Sequence, residues 1–217
     1  MKKRSLAVYS CTLALLLAFA AVSFGQKLET VKLPKPQTDS GKTLMEALKN
    51  RKSSRVFSNK KLSPQILSNL LWAAFGINRP DGKRTAPTAK NWQEIDIYVA
   101  LEEGVYLYDA QANALKPVLG KDIRAAAGRQ KFTQDAPVNL IFVADFNRMR
   151  GADRASMNFY SATDTGFISQ NVYLFCASEG LATVVLGYVN RSALGKLLNL
   201  RSDQHVILSQ PVGYPGK

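Results

Sequence analysis

Residues 154–187 read RASMNFYSATDTGFISQNVYLFCASEGLATVVLG, and the change of period within this stretch decides the fold class. From Arg154 to Glu179, Phe159, Ala162, Phe167, Ile168, Val172, Leu174, Phe175 and Cys176 recur at helical spacing on more than one face. Such a helix is buried centrally or lies in a subunit contact. Gly180 supplies a helix stop, and LATVVLG at 181–187 then reads as a strand ending in Gly187. Upstream, EIDIYVAL at 94–101 alternates as a strand, Glu102-Glu103-Gly104 turns the chain, and VYLYDA at 105–110 completes a hairpin. VNLIFVAD at 138–145 is a buried strand and QHVILSQPV at 204–212 a final one. Thr43 caps a helix over LMEALKN, and Ser63-Pro64 starts another that Gly76 stops. DIRAAAGRQ at 122–130 and NRSALGKLLNL at 190–200 read as further helices. The pattern is mixed α+β: a hairpin-containing sheet with helices around it.

The first 25 residues stand apart. Lys2, Lys3 and Arg4 precede an apolar run from Leu6 to Val22, and Ser23 and Gly25 occupy the small positions that signal peptidase reads. The expected cut falls between Gly25 and Gln26, sending the chain to the periplasm or cell envelope. An uncleaved anchor is disfavoured because the run is short, interrupted and lacks a basic stop-transfer cluster. Residues 26–42, with two prolines, read as an extended N-terminal arm, leaving 43–217 as one folded domain. The 217-residue chain has a formal charge of +13; without its leader it keeps 26 basic and 16 acidic residues, a formal +10. That balance suits anionic partners without choosing among them. After cleavage Cys176 is the only cysteine and His205 the only histidine, so neither an internal disulfide nor a His/Cys metal site is expected. His205, alone in a strand, and Cys176, in an apolar helix, read as structural.

Three segments carry candidate chemistry. The first, RKSSRVF at 51–57, packs three cations and two hydroxyls ahead of an apolar pair, with no acid. It is either a solvated basic turn or a cradle for an anion. Arginine offers a planar fork of donors matching phosphate oxygens, and serine a short directed hydroxyl. In an extended segment Arg51, Ser53 and Arg55 point to one side, Lys52 and Ser54 to the other. The second, PTAKNWQ at 87–93, lies in a long loop over 76–92. Its Asn91 can donate and accept at once, which suits a heterocycle edge; Trp92 can stack on a ligand or pack on the core. The third is LATVVLG, where Gly187 permits close backbone approach to a flat ligand or simply turns the chain.

These segments resemble the nitroreductase family of FMN-dependent oxidoreductases. RKSSRVF is similar to the family's opening R-R-S-x-R-x-F, PTAKNWQ to its P-S-x-x-N-x-Q loop, and the long helix ending E-G-L with ATVVLG to its dimer helix and flavin-edge strand. The closing PVGYP resembles the family's G-Y-P, so four motifs in order cover nearly the whole mature chain. The resemblance implies a nitroreductase-like α+β fold, with a central, mostly antiparallel sheet flanked by helices and FMN at a homodimer interface. It implies that Arg51, Ser53 and Arg55, with Lys52 alongside, bind FMN phosphate, ribityl or pyrimidine groups. Thr88 and Asn91 would meet the isoalloxazine from the loop, reaching a flavin seated mainly on the other subunit. Backbone at Leu186 and Gly187 would face the flavin's N5 side.

Three positions depart from the family pattern. Thr88 and Ala89 stand where serine or a small residue is usual, and Leu186 where many members carry an acid. The basic segment that many relatives carry beyond G-Y-P has no counterpart here. That resembles the shorter, SagB-like members and leaves the phosphate to the opening motif, with Lys217 or Arg191 as further candidates.

The function so implied is that of an exported, FMN-dependent oxidoreductase passing electrons to a nitroaromatic, quinone or similar acceptor, or oxidising a small substrate directly. The flavin carries the chemistry, so no side-chain acid, base or metal is expected to be catalytic. Export separates the chain from cytosolic NAD(P)H, so the donor is left open between NAD(P)H, a redox protein and another small molecule. The alternative is a non-catalytic basic protein binding anionic ligands in the envelope, which predicts salt-sensitive binding and no flavin. Nucleic-acid binding is not expected, because no basic–aromatic interleaving or recognition helix appears. No membrane span is expected once the leader is removed.

Overall fold

The computed structural model describes residues 28–217, so the leader and its cut at Gly25/Gln26 lie outside the described residues. Seven strands form one sheet: β1 (Val31–Lys32), β2 (Ile95–Ala100), β3 (Val105–Asp109), β4 (Ala114–Leu119), β5 (Val138–Asp145), β6 (Ala182–Thr183) and β7 (Gln204–Gly213). Their order is β1-β4-β3-β2-β5-β7-β6, and every pair is antiparallel. Four helices surround it: α1 (Leu44–Asn50), α2 (Pro64–Phe75), α3 (Arg154–Glu179) and α4 (Arg191–Leu197). This is the α+β architecture expected from the sequence. Among the described residues no helix is long and apolar enough to cross a membrane.

The central strands are buried on both faces, which is why they read as apolar runs. Ile95, Ile97 and Val99 of β2, with Leu140, Phe142 and Ala144 of β5, join Leu70, Leu71 and Phe75 of α2 and Ile168, Val172 and Cys176 of α3 in one cluster. The alternate residues, Tyr98 and Ala100 with Ile141 and Val143, pack beneath Leu194 of α4 in a second. Full burial of each large aliphatic side chain contributes roughly 1.5–3 kcal/mol, so the two clusters hold the sheet from opposite sides.

Local signals behave as the side-chain chemistry requires. Thr43 and Glu46 form a reciprocal capping box on α1, Ser63 caps α2 through Ile66 N–H, and Gly180 closes α3 at φ 70°. The α3 helix buries Ile168, Val172 and Cys176 on one side while Phe159 and Phe167 stay 65% and 45% exposed on another. The β2–β3 turn depends on Gly104, at φ 150°, where a Cβ would collide with the Leu119 carbonyl oxygen. Gly104→Ala is therefore expected to destabilise the domain by about 1–3 kcal/mol, lowering Tm in calorimetry by several degrees.

Two readings of the sequence are corrected, and one strand is added to them. DIRAAAGRQ is a single 3-10 turn at Arg124–Ala126, because the Ala127 carbonyl accepts the Ser209 hydroxyl instead of continuing a helical ladder. LATVVLG pairs only at Ala182–Thr183 and again at Leu186, which bridges Ser209. Between them the Val185 amide turns away to the Tyr173 hydroxyl. An unexpected strand, β4, contains Pro117. The proline is tolerated because the outer neighbour, β1, pairs only with Ala114 and Leu115, so no ladder bond is asked of its nitrogen on that side.

Candidate functional site

The opening motif runs extended across the C-terminal half of α3. Ser54 N–H donates to the Thr183 carbonyl at 2.9 Å, fixing residues 51–55 against the end of β6. The extended backbone separates the side chains as expected. Lys52 and Ser54 line a cavity of about 280 Å³ with Lys42, Cys176 and Thr183, whereas Arg51, Ser53 and Arg55 do not. Lys52 thus stands on the opposite side of the strand from the two arginines. Among the described residues no carboxylate pairs with Arg51, Lys52 or Arg55, although nine ion pairs occur elsewhere. A basic segment that leaves its charges unpaired is available to an external anion.

Two further segments converge on the motif. The Ser53 hydroxyl lies 2.9 Å from the Tyr173 hydroxyl, which in turn accepts the Val185 amide at 2.9 Å. Leu186 and Gly187 follow directly. Leu186 is buried and held to Ser209, while Gly187 is exposed, and a Cβ placed on it would meet only Leu208, at 3.9 Å. The C-terminal residues close over the other end: Phe57 bridges Pro215, and Gly216 N–H donates to the Val56 carbonyl. Lys217 therefore sits beside the opening motif. Arg191 does not, because its guanidinium is spent on the Ile207 carbonyl, at 2.8 and 3.1 Å.

The loop at 87–93 is held at a different point. Lys90, Asn91 and Gln93 all adopt the left-handed region, at φ 51°, 54° and 48°, conformations that cost non-glycine residues on the order of 1 kcal/mol each. They persist because the surroundings fix them. Asp164 of α3 accepts Ala89 N–H at 2.9 Å, the Thr88 hydroxyl accepts Gln93 N–H at 3.0 Å, and Gln93 bonds both Arg84 and Asn91. Trp92 packs edge-on to Tyr160. Attachment points at Asp164 and Tyr173 are nine residues apart, about 14 Å along the helix axis, and no hydrogen bond among the described residues joins this loop to residues 51–55 of the same chain. One chain thus joins Arg51 and Ser53 through Tyr173 to Val185 and the Leu186–Gly187 edge, with Arg55 further along the same extended segment, and holds Thr88 and Asn91 elsewhere.

Beneath the loop is a buried carboxylate pair that no sequence motif announces. Both Glu94 oxygens are buried with no hydrogen-bond partner among the described residues. Burial, with the neighbouring Asp164 charge adding to it, raises the Glu94 pKa to about 7. Burial raises Asp164 as well, against the opposing Ala89 amide. Tyr173 was equally unannounced, because an aromatic in a long helix reads as core. His205 stacks on Phe146 at 4.5 Å and contacts Arg154 at 3.3 Å, and burial and the arginine lower its pKa. Burial pushes the Cys176 thiol far up, out of the range of a reactive thiolate.

Comparison with known proteins places this arrangement. With the relatives it matches, this fold is that of an oxidoreductase of the flavin-using kind. The chain belongs to the nitroreductase family, whose model matches residues 48–214. A Methanocaldococcus jannaschii protein named as a nitroreductase is 30% identical over 195 residues, covering 85% of this chain and 97% of its own. A crystal structure from Ralstonia eutropha JMP134, likewise described as a nitroreductase, is 40% identical with a TM-score of 0.84, covering 91% of this chain and 93% of that one. The NADPH-flavin oxidoreductase of Vibrio harveyi matches more locally: 30% identity over 97 residues, 41% of this chain and 40% of its own.

The residues present fit a flavin mononucleotide. Arg51 and Arg55, which form no ion pair among the described residues, match a dianionic phosphate, the Ser53 hydroxyl adds a polar group, and the uncovered face of Gly187 admits a planar ring to the backbone.

Proposed function

We propose that this protein is an exported oxidoreductase that binds FMN between two copies of the chain and delivers electrons to nitroaromatic, quinone or similar acceptors. The observation that carries the reading is the junction of the opening motif with the glycine edge, Ser53 to Tyr173 to Val185, in a motif whose two arginines form no ion pair among the described residues. When bound, FMN supplies two-electron exchange between a donor and an acceptor. Arg51 and Arg55 hold the phosphate through charge-assisted bonds, and their charge lowers the cost of the negative charge that reduction adds. The backbone at Leu186 and Gly187 supports the ring, and no side chain of the site has to transfer a proton. The donor is a redox protein or small molecule of the envelope, in keeping with the leader and its separation from cytosolic NAD(P)H.

A second copy is supported by what the single chain leaves uncovered. Leu44 and Met45 are 64% and 73% exposed, Leu48 and Val56 are exposed too, and Phe159 and Phe167 project from α3. Burying such a face in a homodimer would also cover the cleft beside residues 51–56 and let one chain's Thr88 and Asn91 reach the other's cofactor. Met45→Glu with Leu48→Glu is expected to yield a monomer by sedimentation and to weaken FMN binding by at least about tenfold, since both sites lose their cover. Activity is tested anaerobically: protein loaded with FMN and reduced by dithionite should reoxidise on addition of a nitroaromatic or quinone. Reduced protein that ignores both, while free FMN reacts, would overturn the assignment of acceptor.

A further inference from the structure

Tyr173 lies in the long helix and is not among the candidate residues of the sequence, yet it touches the opening motif and the glycine-edge segment. Its hydroxyl contacts Ser53 Oγ and the Val185 amide, both at 2.9 Å, and its ring lies under the Arg51 guanidinium at 5.3 Å. It is rooted in α3, with the residue buried, so its position is set by the core rather than by the loops it joins.

We propose that Tyr173 is a positioning residue for the cofactor, its hydroxyl acting as a one-way relay that turns Ser53 into a dedicated donor. This rests on the reading that Ser53 faces FMN. A backbone amide can only donate, so the contact with Val185 occupies a lone pair of the phenol oxygen. The phenol keeps one proton, and among the described residues Ser53 Oγ is its only hydrogen-bond neighbour. Donation to Ser53 leaves the serine's own proton free to point out of the protein, toward an acceptor such as a phosphate or carbonyl oxygen of the cofactor. The reverse order would have Ser53 donate inward, leaving a phenol proton unmatched and the serine offering only lone pairs to an anion. Each bond in the ordered chain polarises the next, so the last donor is strengthened. The same hydroxyl draws Val185 out of the β7 ladder, which sets the Leu186–Gly187 edge against the opening motif. One atom therefore fixes the spacing between the cofactor's anionic tail and its ring.

The test is a double-mutant cycle on FMN affinity, read by flavin fluorescence in the full mature chain. Tyr173→Phe keeps the ring beneath Arg51 and removes only the hydroxyl; it is expected to raise the Kd about tenfold. Ser53→Ala is expected to do the same. The double variant should bind within about twofold of Tyr173→Phe, because whatever the serine contributes through the phenol is already lost with the hydroxyl. Additive losses, about a hundredfold together, would mean independent packing roles and would overturn the relay. Wild-type affinity in Tyr173→Phe would overturn it too. Absence of binding in the wild type would instead sink the flavin reading beneath it. Should Tyr173→Phe fail to fold, site-specific 3-fluorotyrosine at position 173 replaces it. The more acidic phenol should tighten FMN binding, and an unchanged or weaker Kd would contradict the proposal.

Discussion

Arg51→Ala combined with Arg55→Ala should abolish measurable FMN binding while leaving the fold intact. Hydrogen bonds to a charged group contribute about 1.5–3 kcal/mol each, so losing two arginines from one phosphate amounts to roughly 3–6 kcal/mol, a Kd raised about 10²- to 10⁴-fold. Neither arginine is spent on the protein: among the described residues neither forms an ion pair, and Arg51 has only the Tyr173 ring beneath it. Tm of the apo variant should therefore stay within a couple of degrees of wild type, as expected for surface substitutions worth about 0.5 kcal/mol or less. A solvated basic turn predicts the opposite pattern, with affinity unchanged. Lys52→Ala is a useful contrast. Its side chain faces the cavity with Ser54 and Thr183 on the other side of the strand, so its effect should be much smaller.

The second large effect concerns Glu94. Its folded pKa of about 7 lies above the ordinary value of 4.5. Below pH 4.5 the carboxyl is neutral in folded and unfolded chains alike, and its full contribution to stability is present. Between pH 4.5 and about 7 the folded state holds a proton that the unfolded state has released, so stability falls as pH rises through that window. The loss is on the order of 3 kcal/mol once the carboxyl ionises. The charges facing it are Asp164 from α3, which opposes ionisation, and Arg148, which favours it while bonding the Gln93 carbonyl and Asp96. Glu94→Gln removes the ionisation, and its Tm should change less than wild type's between pH 5 and 8, by about 4–8 °C in a domain of this size. Parallel pH profiles for the two proteins would show that Glu94 does not titrate in this range.

Much of this was readable in the chain. The Thr43 cap of α1, the Ser63-Pro64 start of α2, the αL stop at Gly180 and the apolar runs of β2, β5 and β7 are local signals, and the structure follows them. The α+β class and the nitroreductase family rest on them and on the motif order. What escaped the sequence depends on contacts between distant residues. Whether DIRAAAGRQ stays helical is decided by Ser209, more than eighty positions away in sequence. Strand β4 carries a proline and is admissible only because its neighbour pairs briefly. Tyr173 and the Glu94–Asp164 pair have no pattern at all: a phenol in a helix and an acid before a strand become meaningful only when folding sets them against Val185 and the 87–93 loop. The sidedness of the opening motif, by contrast, follows from strand geometry, and Lys52 and Ser54 do share a cavity that the arginines avoid.

The most direct test is a crystal structure of the mature chain grown with FMN. The account predicts a twofold dimer in which Arg51 and Arg55 of one protomer hold the phosphate, the ring lies along Leu186 and Gly187, and Asn91 reaches it from the second copy. Guanidinium groups pointing into bulk water, with the dye elsewhere or bound by one subunit alone, would contradict it.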